Sequence, residues 1–205
     1  MQEVWNFGCR DELVRIGVGM RVLLTSAGLE TQEIQERFVK LINKDISSVK
    51  ALFIPTAAID AEAIMVLPKC INDLLKCGIQ NRNICVYDMH WGMNYDELNC
   101  YDVVYLCGGN TQYLLQRMNK TGFHKVLKKY IQADGVVLGV SAGSIIFTNN
   151  LPENLGLLDV KLHVHCENGE KSGKLEFLSK DEIYLTNTQA LIISDFSDGL
   201  EIIGE

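Results

Sequence analysis

The chain has 205 residues, 47% hydrophobic and 22% charged, with a net charge of −7 and an isoelectric point near 5.1. That size and apolar content suffice for one globular domain with its own core, and the acidic balance argues against nucleic acid or an anionic membrane as the main partner. No apolar run approaches the roughly 18 residues a membrane-spanning helix needs.

Residues 1–19 break up their apolar positions with Arg10, Asp11, Glu12 and Arg15, so they lack the continuous hydrophobic stretch of a targeting signal. The first core strand is expected over residues 20–26. Residues 1–19 are therefore expected to be a dispensable N-terminal extension, with a short docked helix carrying Leu13, Val14 and Ile16 as the alternative to disorder; residues 20–205 form a single α/β domain. After Gly28 a helical spacing carries Ile34, Phe38, Leu41 and Ile42. A second strand spans residues 49–54 and closes on Pro55-Thr56-Ala57. An amphipathic helix follows over residues 60–77, with Ile64, Leu67, Ile71, Leu74 and Leu75 on its apolar face, an expected kink at Pro68 and a stop at Gly78. A third strand spans residues 84–87. A fourth, over residues 102–107, runs into Gly108-Gly109-Asn110-Thr111, which opens a helix with Tyr113, Leu114 and Leu115. A helix over residues 123–133 leads to a fifth strand, residues 136–140.

Strands alternating with helices predict a mostly parallel sheet with helices on both faces. After Phe147 the pattern changes to short apolar runs at residues 175–178, 183–185, 190–193 and 200–203, which predict a β-rich C-terminal portion built from hairpins. The seven cysteines (9, 70, 77, 85, 100, 107 and 166) are odd in number and lack CxxC spacing, so free thiols and a cytoplasmic location are expected.

Residues 139–143 read Gly-Val-Ser-Ala-Gly, directly after an apolar strand and before a helix start. A serine between two glycines on such a turn has the pattern of a nucleophile elbow: the glycines permit a sharp turn that exposes Ser141, and the Ala142 N–H can meet an oxyanion. A Gly-rich turn cradling a phosphate is the plain alternative. Both Gly-rich turns, 108–111 and 139–143, fall at the carboxyl ends of strands, where ligands bind in such sheets.

A serine nucleophile needs a base, and the chain offers His90, His124, His163 and His165. His124 falls in a helix beside Lys125 and Lys128 and reads as a surface residue; His90 falls in a loop after a strand. His163 and His165 alternate in Val160-Lys-Leu-His-Val-His165, so a continuous strand would turn both to one side. An H-x-H pair can also bind metal, but Cys166 and Glu167 are the only further donors nearby, so no metal and no cofactor is expected.

Three segments together, Ile54-Pro-Thr-Ala57, Cys107-Gly-Gly-Asn-Thr-Gln-Tyr-Leu-Leu115 and Gly139-Val-Ser-Ala-Gly143, with the histidine segment, resemble the peptidase E family of aspartyl dipeptidases, serine peptidases related to cyanophycinase. The resemblance implies a class I glutamine amidotransferase-like α/β fold with Ser141 as nucleophile and the N–H groups of Gly109 and Ala142 as the oxyanion hole. It also implies that Asn110 and Thr111 contact substrate. The family's catalytic histidine aligns with His165, though Val164 stands where proline is usual, which leaves His163 as the alternative. Where the family carries acidic groups, this chain reads Thr148-Asn149-Asn150 and Thr186-Asn187-Thr188. Asn187 is then the third catalytic residue, with Glu153, Asp159 and Glu167 as acidic alternatives. The implied substrate is a small peptide, with a preference for N-terminal aspartyl dipeptides; the chain itself is expected to be a monomer or homodimer. A catalytically weak or silent protein that binds or senses a small ligand on the same fold is the competing reading.

Overall fold

The computed structural model describes residues 20–175, 180–194 and 199–205. The extension 1–19 and residues 176–178 of the run expected at 175–178 lie outside these. Five strands, β1 (Arg21–Thr25), β2 (Ala51–Ile54), β3 (Ile84–Val86), β4 (Val103–Leu106) and β5 (Val136–Val140), pair in the order β3-β2-β4-β5-β1, all parallel. Beyond β1 the same sheet continues antiparallel through β9 (Ala190–Ser194), β10 (Gly199–Ile203) and the edge strand β7 (Gly173–Leu175).

Alternation along these strands divides the core in two. Leu23, Phe53, Tyr105 and Leu138 pack with Ile34, Phe38 and Leu41 of α1 (Gln32–Ile42) and Leu74 of α2 (Ala61–Lys76). On the other face Leu24, Leu52, Val104 and Val137 meet Leu98 of α3 (Tyr95–Leu98), Leu114 and Met118 of α4 (Thr111–Thr121), and Phe123 and Leu127 of α5 (Phe123–Gln132). Central strands buried on both faces are mainly apolar, which is why they read as near-continuous runs, with Arg21 and Thr25 at the two ends of β1 as exceptions.

The helix starts follow local chemistry. Thr31, Asp60 and Asn110 each accept the N–H of the residue three positions on, satisfying a donor that a helix start leaves unpaired. Two expectations need correction. Helix α2 turns its apolar residues differently from the forecast: Ile64 is 50% exposed, and Asp73 is buried beside Leu74. The reason is polar, since Asp73 Oδ2 accepts the N–H of Leu29 at 3.1 Å and so faces the sheet. The C-terminal portion is also not made of hairpins alone. Strands β9 and β10 do pair antiparallel, but β6 (Lys161–His163) and β8 (Glu182–Tyr184) form a small separate parallel pair, with β7 of the large sheet lying between them in sequence.

Candidate active site

Strand β5 ends at Val140, and the short helix α6 (Ala142–Ile145) starts after one intervening residue. The reversal is concentrated in Ser141, at φ 49° and ψ −109°, a conformation that costs a non-glycine residue about 1–3 kcal/mol and must be held by its surroundings. The Ser141 N–H donates to the Thr25 carbonyl at 3.0 Å. The Ser144 hydroxyl donates to the same carbonyl at 2.8 Å, and the Thr25 hydroxyl donates to the Gly139 carbonyl at 3.1 Å. Both flanking glycines are needed for close approach. A Cβ on Gly139 would stand 2.5 Å from the Gly143 carbonyl oxygen, and one on Gly143 would stand 2.3 Å from that of Leu106.

The second Gly-rich turn lies against this one. A Cβ on Gly108 would come within 3.2 Å of Ser141 Cβ. Gly109 has φ 132°, and a side chain there would meet the Ala57 carbonyl oxygen at 2.1 Å. The Asn110 N–H donates to that same carbonyl at 2.7 Å, which ties the turn to the segment after β2. Among the described residues, no carbonyl accepts from the N–H of Gly109 or Ala142. Asn110 serves as the N-cap of α4, its Oδ1 accepting from Tyr113 N–H at 2.9 Å, and Thr111 is the first residue of that helix. Cys107, buried at the foot of the turn, has its thiol pushed well up by burial and stays protonated.

His165 Nε2 lies 3.0 Å from Ser141 Oγ, and Nδ1 of the same ring lies 2.7 Å from Asn187 Oδ1. The two histidines of the H-x-H segment do not share a face. Strand β6 ends at His163, and His165 lies beyond it with φ 59°, so the alternation expected of a continuous strand does not reach it. The β6–β8 register sets His163 beside Tyr184, and the two rings stack at 4.5 Å and 10°. His163 Nε2 stands 3.3 Å from Glu182 Oε2, off the hydrogen-bond direction. The Tyr184 hydroxyl, followed by the nearby His163, holds the Glu182 carboxyl below its usual range.

Two amides do different work. Asn150 accepts the Leu162 N–H at 2.9 Å and donates to the Leu162 carbonyl at 3.0 Å, so it clasps β6 just before the histidine segment. Asn187 sits in the turn between β8 and β9, which Gln189 braces by accepting the Thr186 N–H and donating to the Glu170 carbonyl. Pairing continues past β8: Leu185 N–H donates to the His163 carbonyl and Cys166 N–H to the Leu185 carbonyl, which carries Asn187 alongside His165. The acidic alternatives are engaged elsewhere or not in contact. Glu153 accepts from Asn119 and Asp159 from Asn149, and no hydrogen bond joins Glu167 to the ring among the described residues. His90 pairs with Asp88 at 3.1 Å, and His124 lies against the Met118 carbonyl.

One residue was not foreseen. Ser26, just past the end of β1, is fully buried. It accepts the His165 main-chain N–H at 2.6 Å and lies 3.3 Å from Asn187 Oδ1. A serine ending an apolar strand carries no sequence signal of such a role.

Comparison with known proteins bears on the family and the fold. The model of peptidase family S51 matches residues 22–162. An uncharacterized peptidase of Listeria monocytogenes is 27% identical over 164 residues, covering 69% of this chain and 80% of that protein. One from Pasteurella multocida is 29% identical over 107 residues, and that match spans only 52% of its length. Among solved structures, a Listeria monocytogenes protein assigned to peptidase E superposes with a TM-score of 0.71 at 20% identity, covering 91% of this chain and 98% of that one. A peptidase from an acI-B1 actinobacterium gives 0.66 at 17% identity, covering 91% and 88%. The mostly parallel sheet, the serine turn on β5 and the family match over most of the described core lead to one assignment: this chain belongs to peptidase family S51.

Proposed function

We propose that the chain is a serine peptidase that hydrolyses small peptides through an acyl-enzyme, with Ser141 as nucleophile, His165 as base and Asn187 orienting the ring. The observation that carries the reading is the sequence of contacts Ser141 Oγ, 3.0 Å, His165 Nε2, and His165 Nδ1, 2.7 Å, Asn187 Oδ1. An amide oxygen only accepts, so Nδ1 carries the proton and Nε2 presents a lone pair to the serine hydroxyl. Ser141 Oγ bonds to the peptide carbonyl carbon while its proton passes to Nε2. The N–H groups of Gly109 and Ala142 receive the negative oxygen. The proton then goes to the leaving amine as the C–N bond breaks, and water repeats the sequence to release the acid. Asn187 gives the charged ring a dipole and no charge, so turnover is expected to be slower than with a carboxylate in its place.

The substrate class follows from the family resemblance: dipeptides with an N-terminal aspartate, with the amide nitrogen of Asn110 and the hydroxyl of Thr111 as subsite donors beside the Gly-rich turn. Labelling with a serine-reactive fluorophosphonate, followed by a panel of Asp-X and non-acidic dipeptides, tests both levels. Labelling at Ser141 with cleavage of Asp-X is the expected result. An unlabelled, folded protein would overturn the peptidase reading in favour of a ligand-binding protein. Labelling with cleavage of other peptides would overturn the substrate class alone.

A further inference from the structure

We infer that Ser26 is a positioning residue that selects the orientation of the Asn187 amide and, through it, the tautomer of His165; this rests on the proposed roles of His165 and Asn187. Ser26 lies at the end of β1, fully buried, whereas His165 and Asn187 both reach solvent. Its hydroxyl meets three groups of the site: the His165 N–H at 2.6 Å, Asn187 Oδ1 at 3.3 Å and His165 Nδ1 at 3.5 Å.

A hydroxyl has one proton and two lone pairs. The His165 main-chain N–H occupies one lone pair, so the Ser26 proton must find an acceptor among its neighbours. With the amide oxygen of Asn187 toward the ring, that oxygen accepts from Ser26 O–H and from His165 Nδ1–H together. The Ser26 O–H and the Nδ1–H are then both used, and Nε2 is left unprotonated toward Ser141. With the amide turned over, its NH2 would donate to Nδ1 and fill the lone pair there. The buried Ser26 O–H would then have no acceptor among the described residues, and the imidazole would carry its proton on Nε2, facing Ser141 with a donor instead of a base. A buried donor left unpaired is strongly disfavoured. An asparagine needs this selection because its two ends differ; a carboxylate has two equivalent acceptors and does not.

This asymmetry supplies the test. With 15N-labelled histidine, two-bond 1H–15N correlations report whether His165 carries its proton on Nδ1 or Nε2, whether or not the protein cleaves anything. The native chain is expected to show the Nδ1–H form. Ser26→Ala is expected to shift the tautomer ratio toward Nε2–H by about ten-fold, in line with the loss of one hydrogen bond. In an Asn187→Asp background the same substitution should leave the ratio within about two-fold, because either carboxylate oxygen accepts from Nδ1–H. An equal shift in both backgrounds, or none in either, would overturn the role of Ser26. Should Ser26→Ala fail to fold, Ser26→Cys, close in shape with a far weaker donor, replaces it in the same comparison. Fluorophosphonate labelling of the native chain distinguishes the two levels: a chain that is not labelled but shows the background-dependent shift refutes the peptidase reading and keeps the Ser26 relationship.

Discussion

Nδ1 of His165 stands 2.7 Å from Oδ1 of Asn187, so the ring of the proposed base is held by a neutral amide and not by an anion. Asn187→Asp is therefore expected to keep or raise kcat on a small peptide. Asn187→Ala frees the ring and should lower kcat. Steady-state kinetics on the two variants decide the matter, and a rate unchanged in Asn187→Ala would remove the orienting role.

Ser141→Ala should abolish hydrolysis and fluorophosphonate labelling while leaving the melting temperature near that of the native chain. The serine side chain meets His165 and is only partly buried, so its loss opens no core cavity. Turnover persisting in a preparation free of contaminants would mean that another group is the nucleophile.

The two neighbouring histidines should separate cleanly. His165→Ala is expected to lose on the order of 10²–10⁴ in rate, as removal of a general base does. His163→Ala removes a ring stacked on Tyr184 and should cost some stability but little turnover. The opposite ranking would contradict the contact between His165 and Ser141.

Gly143→Ala should destabilise the protein by about 1–3 kcal/mol, the range for forcing atoms into a filled site. Its methyl would stand 2.3 Å from the Leu106 carbonyl oxygen, which β4 holds in place. Urea unfolding measures this; an unchanged midpoint would show that the elbow can move away from β4.

Asp73 supplies a pH test. Burial, the leading cause, raises its carboxyl above the usual range, against the opposing effects of the Leu29 N–H and Lys69. A carboxyl whose pKa is higher folded than unfolded gives its stabilisation below the unfolded value, about 3.9, and loses it as pH rises through the folded value. The stability of Asp73→Asn relative to the native chain should therefore increase from acid to neutral pH. Paired unfolding curves at both ends would refute this if the difference were constant or fell.

Much of the molecule was legible in the residues alone. Strands β1, β2, β4 and β5 stand out because a strand buried on both faces is mainly apolar, with Arg21 and Thr25 at the ends of β1 as exceptions, and the serine turn because only glycine fits where Gly139 and Gly143 meet neighbouring backbone. Asn187 follows only from the family resemblance, as the amide of Thr186-Asn187-Thr188 where the family carries an acidic group, with Glu153, Asp159 and Glu167 as alternatives. What only the tertiary structure decided was which groups meet. The H-x-H spacing implied a shared face, yet the strand ends at His163 and a positive φ at His165 sends the second ring to Ser141. Asn150 and Asn187 look alike in sequence, but one clasps β6 and the other meets the imidazole, because strand pairing carries Leu185 past His163. Ser26 had no signal at all. Its role depends on His165 and Asn187 arriving from far along the chain, and a hydroxyl's partners are fixed by what the fold brings within 3 Å or so, not by its neighbours in sequence.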